Sequence, residues 1–88
     1  MEKSVYKHDN IMICESLKRA RIKAKISQIE LSKKLKTEQS FVSRYESGQR
    51  RIDIVEFFQI CEAIGIDPFG ILKSWIVSKR IRSSTYFC

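Results

Sequence analysis

The chain has 88 residues and a formal net charge of +7, which is enough for one domain with a single modest core and leaves no room for a second. Three glycines and one proline are too few for a turn-rich all-β domain. The sequence has no long apolar span and no signal-peptide pattern, so we expect a protein of the cytoplasm without a membrane partner.

Charge is segregated along the chain. The segment from Leu17 to Arg51 contains eleven Lys or Arg and three Glu, a local balance of +8. Residues 52–67 contain four acidic residues and no basic one, and the chain becomes basic again from Lys73 to Arg82. This segregation predicts one surface that faces a polyanion, and a merely solvated cationic surface is the alternative.

The first two helices are predicted from an apolar stripe and a capping signal, after a flexible leader at residues 1–10. The stripe predicts a helix from about Ile11 to Ala24 and consists of Ile13, Leu17, Ala20 and Ala24. Ser27, with Glu30 three residues later, forms a capping box that opens the second helix. The inward side chains of that helix are expected to be Leu31, Leu35 and one of Ile26 and Ile29.

A three-residue polar turn, Lys36–Glu38, leads into a third helix. This helix is predicted from about Gln39 to Ser47, because Gly48 is a typical residue just beyond a helix end. Val42 and Tyr45 fall on the side that faces the core, which leaves the polar side chains facing outward. The second and third helices therefore have the order of parts that places one helix in a DNA groove.

Two further helices are predicted from their start signals. Asp53 and Glu56 form a second capping box, and Asp67-Pro68 is a cap followed by proline at the first helical position. The fourth helix ends at Gly65, and its buried face is predicted to be Ile54, Phe57, Phe58, Cys61 and Ile64. The fifth helix repeats Ile71, Leu72, Trp75 and Ile76 at helical spacing. We predict an all-α fold, a compact bundle of about five short helices over residues 11–80, with a C-terminal tail at 81–88.

The cysteines and the histidine do not form a catalytic or metal-binding pattern. Cys14, Cys61 and Cys88 are widely spaced, and no CxxC pair exists for a metal or redox site. We expect Cys14 and Cys61 to be small core residues and Cys88 to be a terminal thiol. His8, the single histidine, has no evident nucleophile or carboxylate to work with. We therefore expect no enzyme and no cofactor or metal, and no small-molecule ligand is evident.

Four motifs follow one another at fixed spacing. They are Leu17-Lys18-Arg19-x-Arg21, Ile26-Ser27-Gln28-x-Glu30-Leu31, Ser40-x-Val42-Ser43-Arg44-x-Glu46-x-Gly48 and Ile64-Gly65-Ile66. Together they resemble the Cro/C1-type (XRE-like) helix-turn-helix family, over the span from Leu17 to Leu72. The resemblance implies a lambda-repressor-like domain. The chain departs from the family at Lys25 and Lys36, where the family usually has glycine, and at Ser32, where it favours alanine.

The resemblance also implies two kinds of DNA contact and one structural pair. The base-reading positions would be Glu38, Gln39, Ser40 and Arg44. The phosphate-binding positions would be Ser27, Gln28, Ser47, Gly48, Arg50 and Arg51. Arg21 and Glu46 would form an ion pair that holds the reading helix at its angle. An ordinary solvated helix face is the alternative for the base-reading set, and plain surface charge is the alternative for Arg50 and Arg51.

These features predict a sequence-specific double-stranded DNA-binding protein, a transcriptional regulator that acts as a repressor and as a homodimer, in a bacterial or phage setting. The alternative is a protein-interaction module, such as an antitoxin component that acts mainly on a partner protein. The apolar residues of the fifth helix also have two interpretations, completion of the monomer core or a twofold dimer interface. Those residues are Ile71, Leu72, Trp75 and Ile76.

Overall fold

The computed structural model describes residues 3–87, with side chains described for residues 7–80. Five helices follow one another: α1 (Lys3–Lys23), α2 (Gln28–Leu35), α3 (Gln39–Glu46), α4 (Ile54–Ile64) and α5 (Pro68–Phe87). Residues 3–87 contain no strand, which agrees with the predicted all-α class. Helix α1 packs against α3, α4 and α5, while α2 packs against α3 and α4, so the core lies where these contacts meet.

Helix α1 begins at Lys3 and not at the predicted Ile11, so residues 3–10 of the expected leader are helical. Met1 and Glu2 lie outside the described residues. The added part of α1 contacts α5. The Asp9 carboxylate accepts hydrogen bonds from Trp75 Nε1 (3.2 Å) and Lys79 Nζ (2.8 Å). At the other end, α5 continues through residues 81–87 of the expected tail, and Cys88 lies outside the description.

Among residues 7–80, whose side chains are described, nine buried apolar side chains from the first four helices form the core. They are Cys14, Leu17, Leu31, Val42, Tyr45, Phe57, Ile60, Cys61 and Ile64. The predictions for Ile54 and Phe58 were wrong, since these side chains are 70% and 50% exposed, and Ile60 is buried in their place. Phe57, Ile60, Cys61 and Ile64 lie on one face of α4, at spacings of 3, 4 and 7 residues, and packing against α1 and α2 selects that face.

Two further choices are settled by the packing. Ile26 packs against the core while Ile29 is exposed, so Ile26 is the inward member of that pair. Ala24, expected at the end of the first stripe, lies beyond α1 and is exposed. Cys14 and Cys61 are buried as expected, and burial raises the pKa of each thiol to about 11, so both are protonated core residues at neutral pH.

Both predicted capping boxes are confirmed. Ser27 Oγ accepts from the Glu30 N–H (3.0 Å), and Glu30 Oε1 accepts from the Ser27 N–H (3.0 Å). At α4, Asp53 Oδ1 accepts from the Glu56 N–H (2.7 Å), and Glu56 Oε1 accepts from the Asp53 N–H (2.9 Å). The backbone hydrogen bond from Ser27 lowers the pKa of the Glu30 carboxyl. Local sequence therefore fixes where these two helices begin.

Two lysines occupy the left-handed backbone region where the family usually has glycine. Lys25 has φ 60° and Lys36 has φ 57°. At Lys36 the turn is held by two hydrogen bonds, from Lys36 N–H to the Lys33 carbonyl (3.1 Å) and from Thr37 N–H to the Ser32 carbonyl (2.9 Å). A side chain with a Cβ is strained in this region, so each lysine costs stability relative to glycine.

We expect Lys36→Gly to raise the free energy of unfolding by about 1 kcal/mol, because glycine relieves the strain at this φ. Urea denaturation followed by circular dichroism measures the change. Lys18→Gly is the matched control, since Lys18 is an exposed residue within α1, where glycine should instead lower stability by about 1 kcal/mol. A loss of stability in Lys36→Gly would contradict the assignment of strain.

Candidate nucleic-acid interface

Helix α3 has a buried edge and a polar edge. Val42 and Tyr45 are fully buried, as predicted, and Glu46 at the C-terminal end of α3 is buried as well. The four predicted base-reading residues are exposed: Glu38, Gln39, Ser40 and Arg44. The buried edge fixes α3 against the bundle, so the polar edge faces away from the core. This arrangement can present donors and acceptors to the edges of base pairs.

The predicted pair between Arg21 and Glu46 is present and lies deep in the domain. Arg21 Nε donates to Glu46 Oε2 (2.7 Å) and Nη2 donates to Oε1 (3.1 Å). The side chains are only 11% and 2% exposed. The hydrogen bond to Glu46 raises the pKa of the Arg21 guanidinium above its usual value. Arg21 Nη1 also donates to the Ile26 carbonyl (2.7 Å), so one guanidinium ties α1 to α3 and to the loop before α2.

A line of hydrogen bonds connects this pair to the polar edge of α3. Gln28 Nε2 donates to Glu46 Oε1 (3.0 Å), and Gln39 Nε2 donates to Gln28 Oε1 (3.3 Å). The amides of Gln28, a predicted phosphate ligand, and Gln39, a predicted base reader, are therefore oriented by hydrogen bonds within the protein itself. Reading a base edge with a pre-oriented amide costs less side-chain entropy than ordering a free one.

Glu38 lies at the start of α3 as its N-cap residue, without a side-chain bond to the helix backbone. Its Oε2 accepts a long hydrogen bond from Ser40 Oγ (3.4 Å). The carboxylate is at the positive end of the helix dipole, which favours a negative charge there. The same charge repels phosphates, so Glu38 suits a position that faces bases.

The backbone N–H groups of the segment after α3 donate back to carbonyls of α3. The N–H groups of Gly48, Gln49 and Arg50 donate to carbonyls of Tyr45 and Arg44, and Ser47 Oγ donates to the Arg44 carbonyl (3.0 Å). Gly48 has φ 82°, and a Cβ there would lie 3.2 Å from Ile11 of α1. Glycine is therefore favoured at position 48 by the backbone turn and by this close approach, and its N–H group donates to the Tyr45 carbonyl.

The two arginines of that segment differ in their surroundings. Arg51 is exposed, whereas Arg50 is half-buried and forms a two-pronged ion pair with Glu56 at 2.9 and 3.0 Å. Sequence analysis placed both with the phosphate-binding residues and did not foresee the ion pair. The sequence pattern around Glu56 indicates its capping role with Asp53, and it contains no separate signal for an ion pair with Arg50.

Three of the four candidates for a dimer interface pack within the monomer. Ile71 and Leu72 lie against the core, and Trp75 is half-buried, with its indole N–H on Asp9. Ile76 is 46% exposed. Packing against the monomer core therefore accounts for Ile71 and Leu72, whereas Trp75 contacts Asp9 and Lys79 outside that core, and Ile76 lies on the surface.

Known families and solved structures can now be compared with this geometry. The family model described as helix-turn-helix matches residues 17–71, well over half of the chain. The chain is also similar to the solved XRE-family like protein from Pseudomonas syringae pv. tomato, with 36% identity over 86% of this chain and 93% of that one, at a TM-score of 0.80. The chain belongs to the Cro/C1-type (XRE-like) helix-turn-helix family. No curated protein sequence matches the chain.

Two other solved structures are similar to this Cro/C1-type domain. The restriction-modification controller protein C.AhdI from Aeromonas hydrophila is 25% identical over 73% of this chain and 97% of that one, with a TM-score of 0.67. The clp gene regulator ClgR from Corynebacterium glutamicum shares only the fold, at 15% identity and a TM-score of 0.73 over 89% of this chain and 83% of that one. As a member of this family, the chain is a DNA-binding protein of the transcription-regulator class.

Two further observations limit the other kinds of site. Residues 3–87 contain no helix long and apolar enough to cross a membrane. Within the part of the chain whose side chains are described, His, Cys, Asp and Glu do not gather into a group that could hold a metal ion. His8 is exposed. The candidate site of this Cro/C1-type domain is the exposed polar edge of α3 together with the cations near it.

Proposed function

We propose that the protein binds double-stranded DNA sequence-specifically by inserting α3 into the major groove. The observation that carries this proposal is the division of α3 into a fully buried edge, Val42 and Tyr45, and an exposed polar edge that begins at Gln39. A groove-reading helix requires this division, because its outer side chains must reach base edges while its inner side is held by the domain.

Side-chain chemistry suggests a role for each base-reading residue. Gln39 can form two hydrogen bonds with adenine, and Arg44 can do so with guanine. Ser40 can bond to several bases, and Glu38 can accept from the amino group of cytosine. This set favours a site that contains both adenine and guanine.

Phosphate contacts would come from both sides of the reading helix. Ser27 and Gln28 lie at the start of α2, where backbone N–H groups and the helix dipole favour an anion. Ser47 and Arg51 are exposed in the segment after α3. These four residues, on either side of α3, can hold the two backbones of one groove. Gly48 contributes through the shape of the turn.

We further propose that the regulator is a homodimer that represses transcription by covering its site, in a bacterial or phage cytoplasm. A twofold dimer would place two α3 helices about 34 Å apart, on successive turns of one DNA face. Ile76 is exposed on α5, and so is Phe69, which lies two helical turns before it on the same side; Val77, the next residue, is exposed beside them. Selection of bound sequences from a random DNA pool should therefore return two half-sites about 10 base pairs apart.

The exposed apolar side chains also favour a second candidate, a module that binds a partner protein, as an antitoxin component does. Ile54, Val55 and Phe58 of α4 are at least half exposed, on a helix that does not read DNA in the first proposal. Such a protein would retain the fold but bind its partner through α4 and α5. Binding to DNA separates the two candidates.

Gel-shift titration with genomic and random duplexes at about 50 and 200 mM salt is the deciding experiment. We expect tight binding at low salt and a loss of about 10³-fold at the higher concentration if about six phosphates are contacted. Failure to bind any duplex at low salt would rule out the DNA proposal and leave the partner-protein module.

A further inference from the structure

Arg50 is held by three different parts of the domain. Its Nη1 and Nη2 donate to the two carboxylate oxygens of Glu56, in the first turn of α4, at 3.0 and 2.9 Å. Nη1 also donates to the Arg51 carbonyl (3.1 Å), and the guanidinium carbon lies 4.7 Å from the centre of the Phe41 ring on α3. One planar cation therefore bridges α3, the connecting segment and α4.

Phe41 connects Arg50 to the hydrophobic core. Its ring is half-buried and packs edge-to-face on Tyr45, with the ring centres 5.4 Å apart, and Tyr45 is fully buried. Phe41 also lies between Ser40, a proposed base reader, and Val42, a core residue. The position of the Phe41 ring is therefore coupled to the position of the first turns of α3.

The chemistry of the Arg50 guanidinium suits a link better than a phosphate contact. A two-pronged bond to a carboxylate uses the same donors that would grip a phosphate, and it neutralises the charge that would attract one. The hydrogen bonds from Arg50 lower the pKa of the Glu56 carboxyl, so Glu56 stays ionised and the pair persists at neutral pH. The guanidinium carbon also lies over the Phe41 ring, at a distance typical of a cation–π contact.

We propose that Arg50 is a positioning residue that sets the angle of α3 against α4 through Glu56 and Phe41, and that it does not bind a DNA phosphate. The effect on DNA recognition rests on the proposed function. The link itself is a property of the free protein. This assignment replaces the phosphate-binding role that the resemblance implied for Arg50.

Thermal melting of the free protein tests the link through Arg50→Gln, Glu56→Gln and the double variant. Glutamine at position 56 keeps a carbonyl oxygen for the Asp53 N–H, so the capping box is preserved while the charge is lost. We expect each single variant to lower Tm by roughly 2–6 °C, and the double variant to be no worse than either, because both remove one shared interaction. Additive losses, or an unchanged Tm in both single variants, would overturn the link.

Arg51→Gln is the matched control for the melting experiment, since Arg51 is the exposed neighbour and its backbone carbonyl accepts the hydrogen bond from Arg50 Nη1 whatever its side chain. Its Tm should stay at the wild-type value. A fall equal to that of Arg50→Gln would mean that any lost cation in this segment destabilises the domain, and the proposal would fail.

The DNA affinity of the same variants distinguishes positioning from phosphate binding, because the two roles predict opposite changes in affinity for Glu56→Gln. If Arg50 positions α3, both Arg50→Gln and Glu56→Gln should weaken binding, on the order of tenfold. The salt dependence of Arg50→Gln should then keep its wild-type slope. If Arg50 were a phosphate ligand, its loss would reduce that slope by about 0.9, and Glu56→Gln would strengthen binding by releasing the guanidinium.

Glu62→Gln is the charge-matched control for Glu56→Gln, because Glu62 is an exposed carboxylate on the same helix. It should leave the affinity unchanged or slightly improve it, since it adds one unit of net positive charge without touching the bridge. Weaker binding by Glu56→Gln than by Glu62→Gln supports the proposal, and equal or tighter binding overturns it. If the wild type binds no DNA, the proposed function fails, and melting still decides the link.

Discussion

Replacing Arg21 with alanine should lower the free energy of unfolding by about 3–5 kcal/mol, because it leaves a buried carboxylate without its partner. Glu46 is 2% exposed and accepts two hydrogen bonds from Arg21, and the Ile26 carbonyl loses its donor as well. Such a loss is a large part of the stability of a small domain, so the variant should unfold at a much lower urea concentration than the wild type. Urea denaturation followed by circular dichroism measures this change.

The same variant should lose DNA binding in parallel with folding. Glu46 is the acceptor that orients Gln28, and Gln28 in turn orients Gln39. Arg19→Ala is the matched control, because Arg19 is an exposed arginine two residues away on α1. It should retain wild-type stability. An Arg21→Ala variant with an unchanged melt would show that the pair does not stabilise the domain.

Arg44→Ala should weaken DNA binding by about 1–3 kcal/mol, or roughly 5- to 150-fold, while stability stays at the wild-type level. The side chain is exposed on the polar edge of α3, and its backbone carbonyl, which accepts from Ser47 Oγ, is retained in the variant. Removing a two-pronged contact to guanine should also relax the base preference at one position of each half-site. Sequence selection from a random DNA pool, together with a gel shift, measures both effects.

Lys73→Ala removes the same charge from a different part of the domain and is the control for Arg44→Ala. Lys73 is exposed on α5, which packs against α1 and α4 and lies away from α3 in the described part of the chain. We expect it to alter affinity slightly and base preference not at all. If Arg44→Ala kept the wild-type base preference, Arg44 would be a general cation and would not read a base.

Helix starts and helix order were predictable from the sequence because their signals are local. Ser27 with Glu30 and Asp53 with Glu56 each satisfy backbone donors within three residues, so the start of α2 and α4 needs no distant partner. The inward positions Val42 and Tyr45 followed from the helical period, and they left the polar edge of α3 exposed. The family resemblance added the Arg21–Glu46 pair, which periodicity alone does not indicate.

The buried face of α4 was less well predicted, because several apolar residues compete for it. Ile54, Phe58 and Ile60 are equally apolar in sequence, and only packing against α1 and α2 selects Ile60. The start of α1 was also hard to predict from local signals. Asp9, in the added part of the helix, bonds to Trp75 and Lys79, which are 66 and 70 residues away on α5.

The sequence by itself determined the number of helices, their order and the exposed polar edge of α3, since caps and helical period act over a few residues. Tertiary structure alone decided how individual polar groups are used. Packing places Gln28 between Glu46 and Gln39, and it places Arg50 against Glu56 and Phe41. A side chain with several donors bonds to whichever acceptor packing brings within reach, and that choice depends on the arrangement of the whole domain.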